Sequence, residues 1–201
     1  MSHGTLQTEL LDTLFSVLEN DVLPKTRSGV AAGNKVFGAA ILRKSDHALV
    51  IAETNNEMEN PLWHGEVHCL KRFYEMPADR RPVTSDLIFL STHEPCSMCL
   101  SAITWAGFDN FYYFFSYEDS RDAFAIPHDL KIMQEVFTLQ DGEYNKSNAF
   151  WESHSIMGMI AELPKDQQGA YIARAQAISD QYDQLSTQYQ DTKSDNDIPL
   201  N

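Results

Sequence analysis

Two short motifs in the middle of the chain carry side chains that can bind a metal ion and move a proton. The first is H-G-E at positions 64–66, and the second is P-C-S-M-C at positions 95–99. Imidazole and thiolate are the ligands that zinc prefers, and three protein ligands leave a fourth tetrahedral position for water. The two cysteines precede a helical pattern, where the helix dipole and free backbone N–H groups favour the thiolate form. The motifs therefore predict a zinc site with one open position.

A closed, purely structural zinc site is the main alternative. His68 lies four residues after His64, on the same face of a regular helix, so both histidines could join the two cysteines in a Cys₂His₂ cage. That cage would leave Glu66 without a role. In a regular helix, however, residues i and i+2 do not face one another. A catalytic site therefore requires the helix to begin close to His64 and not upstream at Pro61.

The spacing of the motifs resembles a known family of enzymes. H-x-E followed by P-C-x-x-C about thirty residues later, across an apolar strand, is the signature of zinc deaminases. The run E-P-C-S-M-C-L-S-A-I at 94–103, with Trp105 after it, most resembles bacterial guanine deaminases, with tRNA adenosine deaminases close behind. The chain is identified as a member of the cytidine deaminase-like superfamily over roughly residues 30–130. Further points of likeness are Phe37-Gly38-Ala39, Asn55-Asn56 and Asn60-Pro61.

The resemblance implies a role for each residue of the motifs. Zinc would be bound by His64, Cys96 and Cys99. Glu66 would carry protons between water, the substrate ring and the departing amine. The implied substrate contacts are Asn55, Trp105 and Asp129. The implied reaction is hydrolytic removal of an exocyclic amine from a free nucleobase or nucleoside, with a purine such as guanine preferred and ammonia released.

Two departures from the family pattern stand beside the histidine. The family usually has alanine where this chain has Gly65, and small residues where it has Leu62 and Trp63. A bulky Trp63 next to a metal ligand predicts an altered pocket, and it leaves open a catalytically silent, deaminase-like subunit. Retention of Glu66 favours an enzyme, because a silent subunit has no chemical need for that acid.

Composition restricts the partners and the compartment. The chain has 15 Lys and Arg against 29 Asp and Glu, a net charge of −14, which disfavours a general nucleic-acid binder. A tRNA wobble-adenosine deaminase, the second enzyme hypothesis, would have to use the one compact basic group, which is Lys71, Arg72, Arg80 and Arg81. We expect no signal peptide and no membrane span. Three cysteines are typical of a reduced, cytoplasmic protein that uses thiols for metal.

The order of elements predicts a three-layer α/β/α sandwich around a mixed sheet of about five strands. Apolar periodicity indicates helices at 5–23 (ended by Pro24), around 67–74, at 97–106 and at 165–189. It indicates strands at 36–43, 48–53, 87–90 and 111–115, the first two joined as a hairpin. We expect a zinc deaminase domain over 1–160 and a C-terminal helical appendage with a frayed tail over 161–201. The apolar faces of the first and last helices, like the resemblance itself, predict a homodimer.

Overall fold

A computed structural model describes residues 3–200. Its strands are β1 (Gly38–Arg43), β2 (Leu49–Thr54), β3 (Leu87–His93), β4 (Asn110–Phe115) and β5 (Glu152–Ser155). They form one sheet in the order β2-β1-β3-β4-β5. β1 is antiparallel to β2 and β3, whereas β3, β4 and β5 run parallel. The predicted mixed sheet is confirmed, and β3 is its central strand.

Helices cover both faces of this sheet. They are α1 (His3–Val17), α2 (Leu23–Ala31), α3 (Gly65–Tyr74), α4 (Ser97–Trp105), α5 (Tyr117–Asp122), α6 (His128–Phe137), α7 (Ile156–Glu162) and α8 (Lys165–Thr192). Side chains alternate along a strand, so Ala40 and Leu42 of β1 join one core with α1, α2, α7 and α8. Ala39 and Ile41 join a second core with α3, α4 and α6. The α/β/α sandwich is therefore confirmed.

The first helical segment does not end at Pro24, and that prediction is wrong. A π-helical turn, Leu18–Val22, joins α1 to α2, and Pro24 lies in the first turn of α2. Proline is tolerated in a first turn because its missing N–H has no helical partner there. The irregular π turn lets the chain continue past the proline as a helix.

The C-terminal helix packs into the same core as the sheet. Six of its apolar or aromatic side chains are buried against α1, α2 and β4, namely Tyr171, Ala175, Ile178, Tyr182, Leu185 and Tyr189. Among the described side chains, the terminal helices thus bury most of their apolar residues in one core, although Ile172 of α8 is half exposed. These faces therefore give little support to the expected dimer. The tail is not frayed, because Ile198 is buried and Asn196 Nδ2 donates to the Gly33 carbonyl. The domain division at residue 160 stays a prediction.

Candidate metal centre and active site

The two motifs meet at the sheet edge where β3 ends and β1 begins. Cys96 is the N-cap of α4, and His64 is the N-cap of α3. Helix α3 therefore begins next to the histidine and not at Pro61, as a catalytic zinc site requires. Because Glu66 lies in the first turn, its side chain and that of His64 converge on the same point. Two helix N-termini, each with free backbone N–H groups, face this point.

Three ligand atoms lie close enough to share one metal ion. His64 Nδ1 is 3.5 Å from Cys96 Sγ and 3.8 Å from Cys99 Sγ. The three atoms all lie within 4.8 Å of one another, and no other such group of His, Cys, Asp or Glu occurs among the residues that the structure describes. One imidazole and two thiolates are a donor set that zinc takes with an open fourth position. The residues present therefore fit a catalytic zinc ion.

His64, Cys96 and Cys99 shift one another's pKa values. The hydrogen bond from Cys99, and then contact with His64, hold the pKa of Cys96 well below its ordinary value. Burial, together with Cys96, raises the pKa of Cys99 well above its ordinary value. For His64, burial lowers the pKa, but the hydrogen bond and charge of Cys96 outweigh it and raise the pKa to about 9. Zinc binding would release the protons that the imidazole and the thiols still carry.

The three ligands His64, Cys96 and Cys99 are called the metal group below. Glu66 lies beside this group and is held by a buried serine. Its Oε2 is 3.3 Å from Cys99 Sγ, and its Oε1 is 2.8 Å from Ser91 Oγ. Ser91 Oγ is also 2.6 Å from the His93 carbonyl, which can only accept. One hydroxyl proton cannot serve both acceptors, so when it goes to the carbonyl, Glu66 must supply the proton of its own bond. Burial, followed by the charge of Cys96, raises the pKa of Glu66 above its ordinary value, as suits a carboxyl group that both accepts and returns protons.

His68 and Trp63 form a separate contact on the outer side of α3. His68 Nδ1 lies 2.8 Å from the Thr54 carbonyl oxygen, away from the cysteines. The Trp63 indole stacks on the His68 ring at 6.0 Å, with Lys71 Nζ 4.7 Å from the indole centroid. The Cys₂His₂ cage is therefore wrong, since His68 is bound elsewhere. Trp63 is not among the residues that line the cavity beside the metal ligands, and an effect of Trp63 on the shape of the pocket stays a prediction.

A cavity of about 280 Å³ opens beside the metal group. His64, Cys96 and Met98 form one side of it, and Asp129 of α6 lies on its wall. Burial raises the pKa of Asp129 to about 8, with the charge of Cys96 as the next cause. The structure thus places one predicted substrate contact, Asp129, at the cavity.

The other two predicted substrate contacts do not reach the cavity. Asn55 is buried and donates from Nδ2 to Glu57 Oε2 at 2.6 Å. Glu57, and not Asn55, is among the residues that line the cavity. Trp105 is 90% exposed and lies in a surface groove between α3 and α4. Neither residue is among those that line this cavity, and direct contact of either with a substrate stays a prediction. The orientation of Trp105 depends on how α4 is rotated against the sheet, which the spacing of a motif does not report.

The comparison of sequences agrees with this geometry. Residues 17–115 match the family described as the cytidine and deoxycytidylate deaminase zinc-binding region. This region belongs to the cytidine deaminase-like superfamily. A match to a zinc-binding deaminase region indicates a hydrolytic deaminase, and the match covers His64, Glu66 and both cysteines of the metal group. Zinc is therefore the cofactor of this cytidine deaminase-like chain.

Solved structures of other deaminases are similar to the chain. A structure from work on A-to-I editing by tRNA:A34 deaminases is 16% identical, covers 81% of this chain and 99% of that chain, and has a TM-score of 0.49. Guanine deaminase from Nitrosomonas europaea is 17% identical over 79% and 81%, with a TM-score of 0.48. The Bacillus subtilis guanine deaminase is 25% identical over 74% and 88%, with a TM-score of 0.46. No substrate follows from likenesses of this strength.

Two further findings concern the chain as a whole. No curated protein matches its sequence. None of the helices in the described residues is both long and apolar enough to span a membrane.

The cytidine deaminase-like motif here has Gly65 where the family usually has alanine, and packing explains the difference. A Cβ on Gly65 would lie 2.7 Å from both Cα and N of Gly38, and 2.9 Å from the carbonyl carbon of Phe37. These are backbone atoms of β1 and of the residue before it, which cannot move as a flexible side chain would. Glycine therefore lets α3 approach β1 closely enough to place His64 and Glu66.

Gly65→Ala is expected to lower stability and zinc binding together. The added methyl must push α3 away from β1, and such overpacking costs about 1–3 kcal/mol. Urea unfolding and zinc content measure both effects. Gly169→Ala is the matched control, because no atom lies within 4 Å of that added Cβ. In the interior of α8 this change should stabilise by about 0.5–1 kcal/mol. Equal stabilities of the two variants would contradict the packing argument.

Sequence reasoning missed three residues of the site. Glu57 and Lys35 line the cavity, and Ser91 holds Glu66. Glu57 lies in a polar turn, and the side chains of Ser91 and Lys35 gain their roles only through contacts with distant segments. The alternation of β3 places Ser91 on the face of the sheet that α3 covers, and this is the one signal that pointed to it.

Proposed function

We propose that the protein is a zinc-dependent hydrolytic deaminase of a free nucleobase or nucleoside, with a purine such as guanine preferred and ammonia released. The observation that carries the proposal is the position of Glu66, 3.3 Å from Cys99 Sγ, beside a His/Cys/Cys group at a small cavity. His64, Cys96 and Cys99 would hold zinc. The purine preference rests on the likeness of residues 94–103 to bacterial guanine deaminases.

The proposed mechanism needs one mobile proton carrier. When bound, zinc supplies Lewis-acid activation of water near neutral pH. Glu66 takes one proton from the attacking water and gives it to a ring nitrogen. It then carries the second proton of that water, from the newly attached hydroxyl, to the departing amine. Ser91 keeps the Glu66 carboxyl in place during these transfers. The ring carbon gains the oxygen of water and loses its amine as ammonia, so no oxidant or reductant is required.

The cavity supports a small substrate without phosphate. Its volume of about 280 Å³ lies just below the range of about 300–1,000 Å³ that drug-sized ligands occupy. Two acids, Glu57 and Asp129, line it, and the ammonium of Lys35 is bound to Glu57 at 2.9 Å. Carboxyl oxygens accept the N–H donors of a base. Lys35 is the one Lys or Arg among the described residues that line the cavity, and because it is already paired with Glu57, the wall offers no unpaired Lys or Arg to a phosphate. We therefore favour a free base or nucleoside over a nucleotide.

The basic group gives little support to the tRNA hypothesis. Lys71 and Arg72 lie in the last turn of α3, about 10–12 Å along the helix from His64, and both pair with Glu75. Arg81 donates to the Tyr74 carbonyl oxygen. Filter binding of a tRNA at low and moderate salt tests this hypothesis, because an RNA enzyme should bind with a steep salt dependence.

A substrate survey tests the proposed function. The zinc-loaded protein is incubated with guanine, adenosine, cytosine, cytidine and the nucleotides GMP and dCMP, and ammonia release is followed. We expect turnover of a free base or nucleoside, and slower turnover of its nucleotide, because Lys35 is paired with Glu57 and is not free to bind a phosphate. Full zinc occupancy with no turnover of any of these compounds would contradict the proposal. Faster turnover of the nucleotides would contradict the argument from charge.

Ser91→Ala is expected to lower kcat and to leave KM nearly unchanged. The change removes the bond that holds Glu66 and no group that lines the cavity, so the effect falls on proton transfer. We expect a loss of about tenfold, since general acid–base catalysis contributes about 10²–10⁴-fold in total. Steady-state kinetics at saturating zinc measure it. Ser91→Thr keeps the hydroxyl and should restore most of kcat, and an equal loss in both variants would contradict this role.

We also propose a homodimer and a cytoplasmic location. Support for a dimer now comes from the surface groove, because the Trp105 indole is 90% exposed beside Tyr74 and Leu70. Sedimentation equilibrium tests it, and a 22.8 kDa species at micromolar concentration would contradict it. The reduced thiols that the metal group requires favour the cytoplasm.

A further inference from the structure

Outside the ligand set, a buried carboxylate lies on the far side of the His64 ring. Nδ1 of His64 faces the two cysteines, and Nε2 faces Glu57 Oε1 at 3.7 Å. The Glu57 side chain is 1% exposed and belongs to the turn between β2 and α3. An acid buried against a metal-ligating ring requires an explanation, since burying a charge is costly unless it is paired.

Two hydrogen bonds hold this carboxylate in one orientation. Lys35 Nζ, itself on a side chain only 7% exposed, donates to Oε1 at 2.9 Å. Asn55 Nδ2 donates to Oε2 at 2.6 Å. The Asn55 amide makes this bond although its own Oδ1 is buried without a partner in the described residues. An unsatisfied buried acceptor costs about 1–3 kcal/mol, so the amide is arranged for Glu57 and not for its own hydrogen bonds.

We propose that Glu57 is the positioning residue of the metal centre, orienting the His64 ring so that Nδ1 points to the metal, with Lys35 and Asn55 holding Glu57. Metal-ligating histidines commonly direct their second ring nitrogen to a carboxylate, which sets the tautomer and the ring orientation. The separation of 3.7 Å is an ion-pair distance and longer than a hydrogen bond. The inference rests on His64 being a ligand, as the proposed function has it.

Zinc affinity is the direct readout, and it does not require turnover. Glu57→Gln keeps the shape and removes the charge, and losses of about 10–100-fold in zinc affinity are typical when such an outer partner is changed. Competition with a chromophoric chelator measures the affinity. Glu59→Gln is the matched control, because Glu59 lies in the same turn and accepts from Asn56 at 2.6 Å but is exposed. We expect the control to bind zinc like the unchanged protein.

A second variant covers the case in which Glu57→Gln fails to fold. Removing one charge of a buried ion pair leaves the other charge buried and uncompensated, whereas removing both charges is often tolerated. Lys35→Met combined with Glu57→Gln should therefore fold and still show the loss of zinc affinity. At saturating zinc we expect both variants to lower kcat severalfold with KM within twofold.

Two results would overturn the inference. One is a folded double variant whose zinc affinity lies within threefold of that of Glu59→Gln. The other is a raised KM with unchanged zinc affinity, which would make Glu57 a substrate contact. A parent protein that binds zinc but deaminates nothing would contradict the proposed function alone, because the affinity comparison would still stand.

Discussion

Glu66→Gln is expected to leave zinc bound and to lower turnover by about 10²–10⁴-fold, the range that general acid–base catalysis supplies. Glutamine keeps the size of the side chain, but its amide cannot take a proton from water and return it to the ring and the amine. The metal group remains complete, because Glu66 is outside the set of His64, Cys96 and Cys99. Zinc content by elemental analysis and kcat at saturating substrate measure the two parts of the prediction.

A matched acid on the same segment provides the control for that change. Glu75 caps the C-terminal end of α3 and pairs with Lys71 and Arg72 at the surface. Glu75→Gln should therefore alter neither zinc content nor turnover. Near-parent turnover in Glu66→Gln would show that another group moves the proton. Loss of zinc in Glu66→Gln would show that the acid is a ligand.

Cys99→Ala is expected to abolish stoichiometric zinc binding, and with it turnover. The change removes one of the three ligand atoms, and the apparent free energy of such protein–zinc contacts is large, about 10–16 kcal/mol for complete structural sites. Two remaining ligands cannot hold the ion with one position open for reaction. Zinc per chain after desalting, and ammonia release by the same preparation, measure the result.

The third cysteine separates loss of a ligand from loss of a buried sulfur. Cys69 is fully buried on α3 and is not part of the metal group. Cys69→Ala should keep zinc and most of the activity, at the stability cost of a small cavity. Retained zinc in Cys99→Ala, or lost zinc in Cys69→Ala, would contradict the assignment of ligands.

The sequence predicts the centre of the site better than its walls, for a physical reason. The spacing of the ligands is local, since His64 and Cys96 each cap a helix and the apolar strand between them can only be a central strand. The place of Asn55 is different, because it depends on Glu57 being bound by Lys35, twenty-two residues earlier in the chain. A pairing of that kind leaves no periodic trace in the sequence.

The same contrast holds for the fold. Apolar runs such as Phe111-Tyr112-Tyr113-Phe114-Phe115 predict a buried strand correctly, and β4 is almost entirely buried. β5 has the sequence Glu-Ser-His-Ser, and an edge strand this short and polar gives no pattern. It forms because its backbone pairs with β4 in parallel. The course of the chain past Pro24 was missed because a π turn has no distinct composition.

Hydrolysis in ¹⁸O-labelled water tests the central claim most directly. The zinc-loaded protein is incubated with guanine, and ammonia and the mass of the product are measured together. The proposed mechanism predicts ammonia equal to the product formed, one ¹⁸O atom in each product molecule, and neither signal after zinc is removed. Full zinc occupancy without ammonia from guanine or from any other amino-substituted base or nucleoside would contradict it.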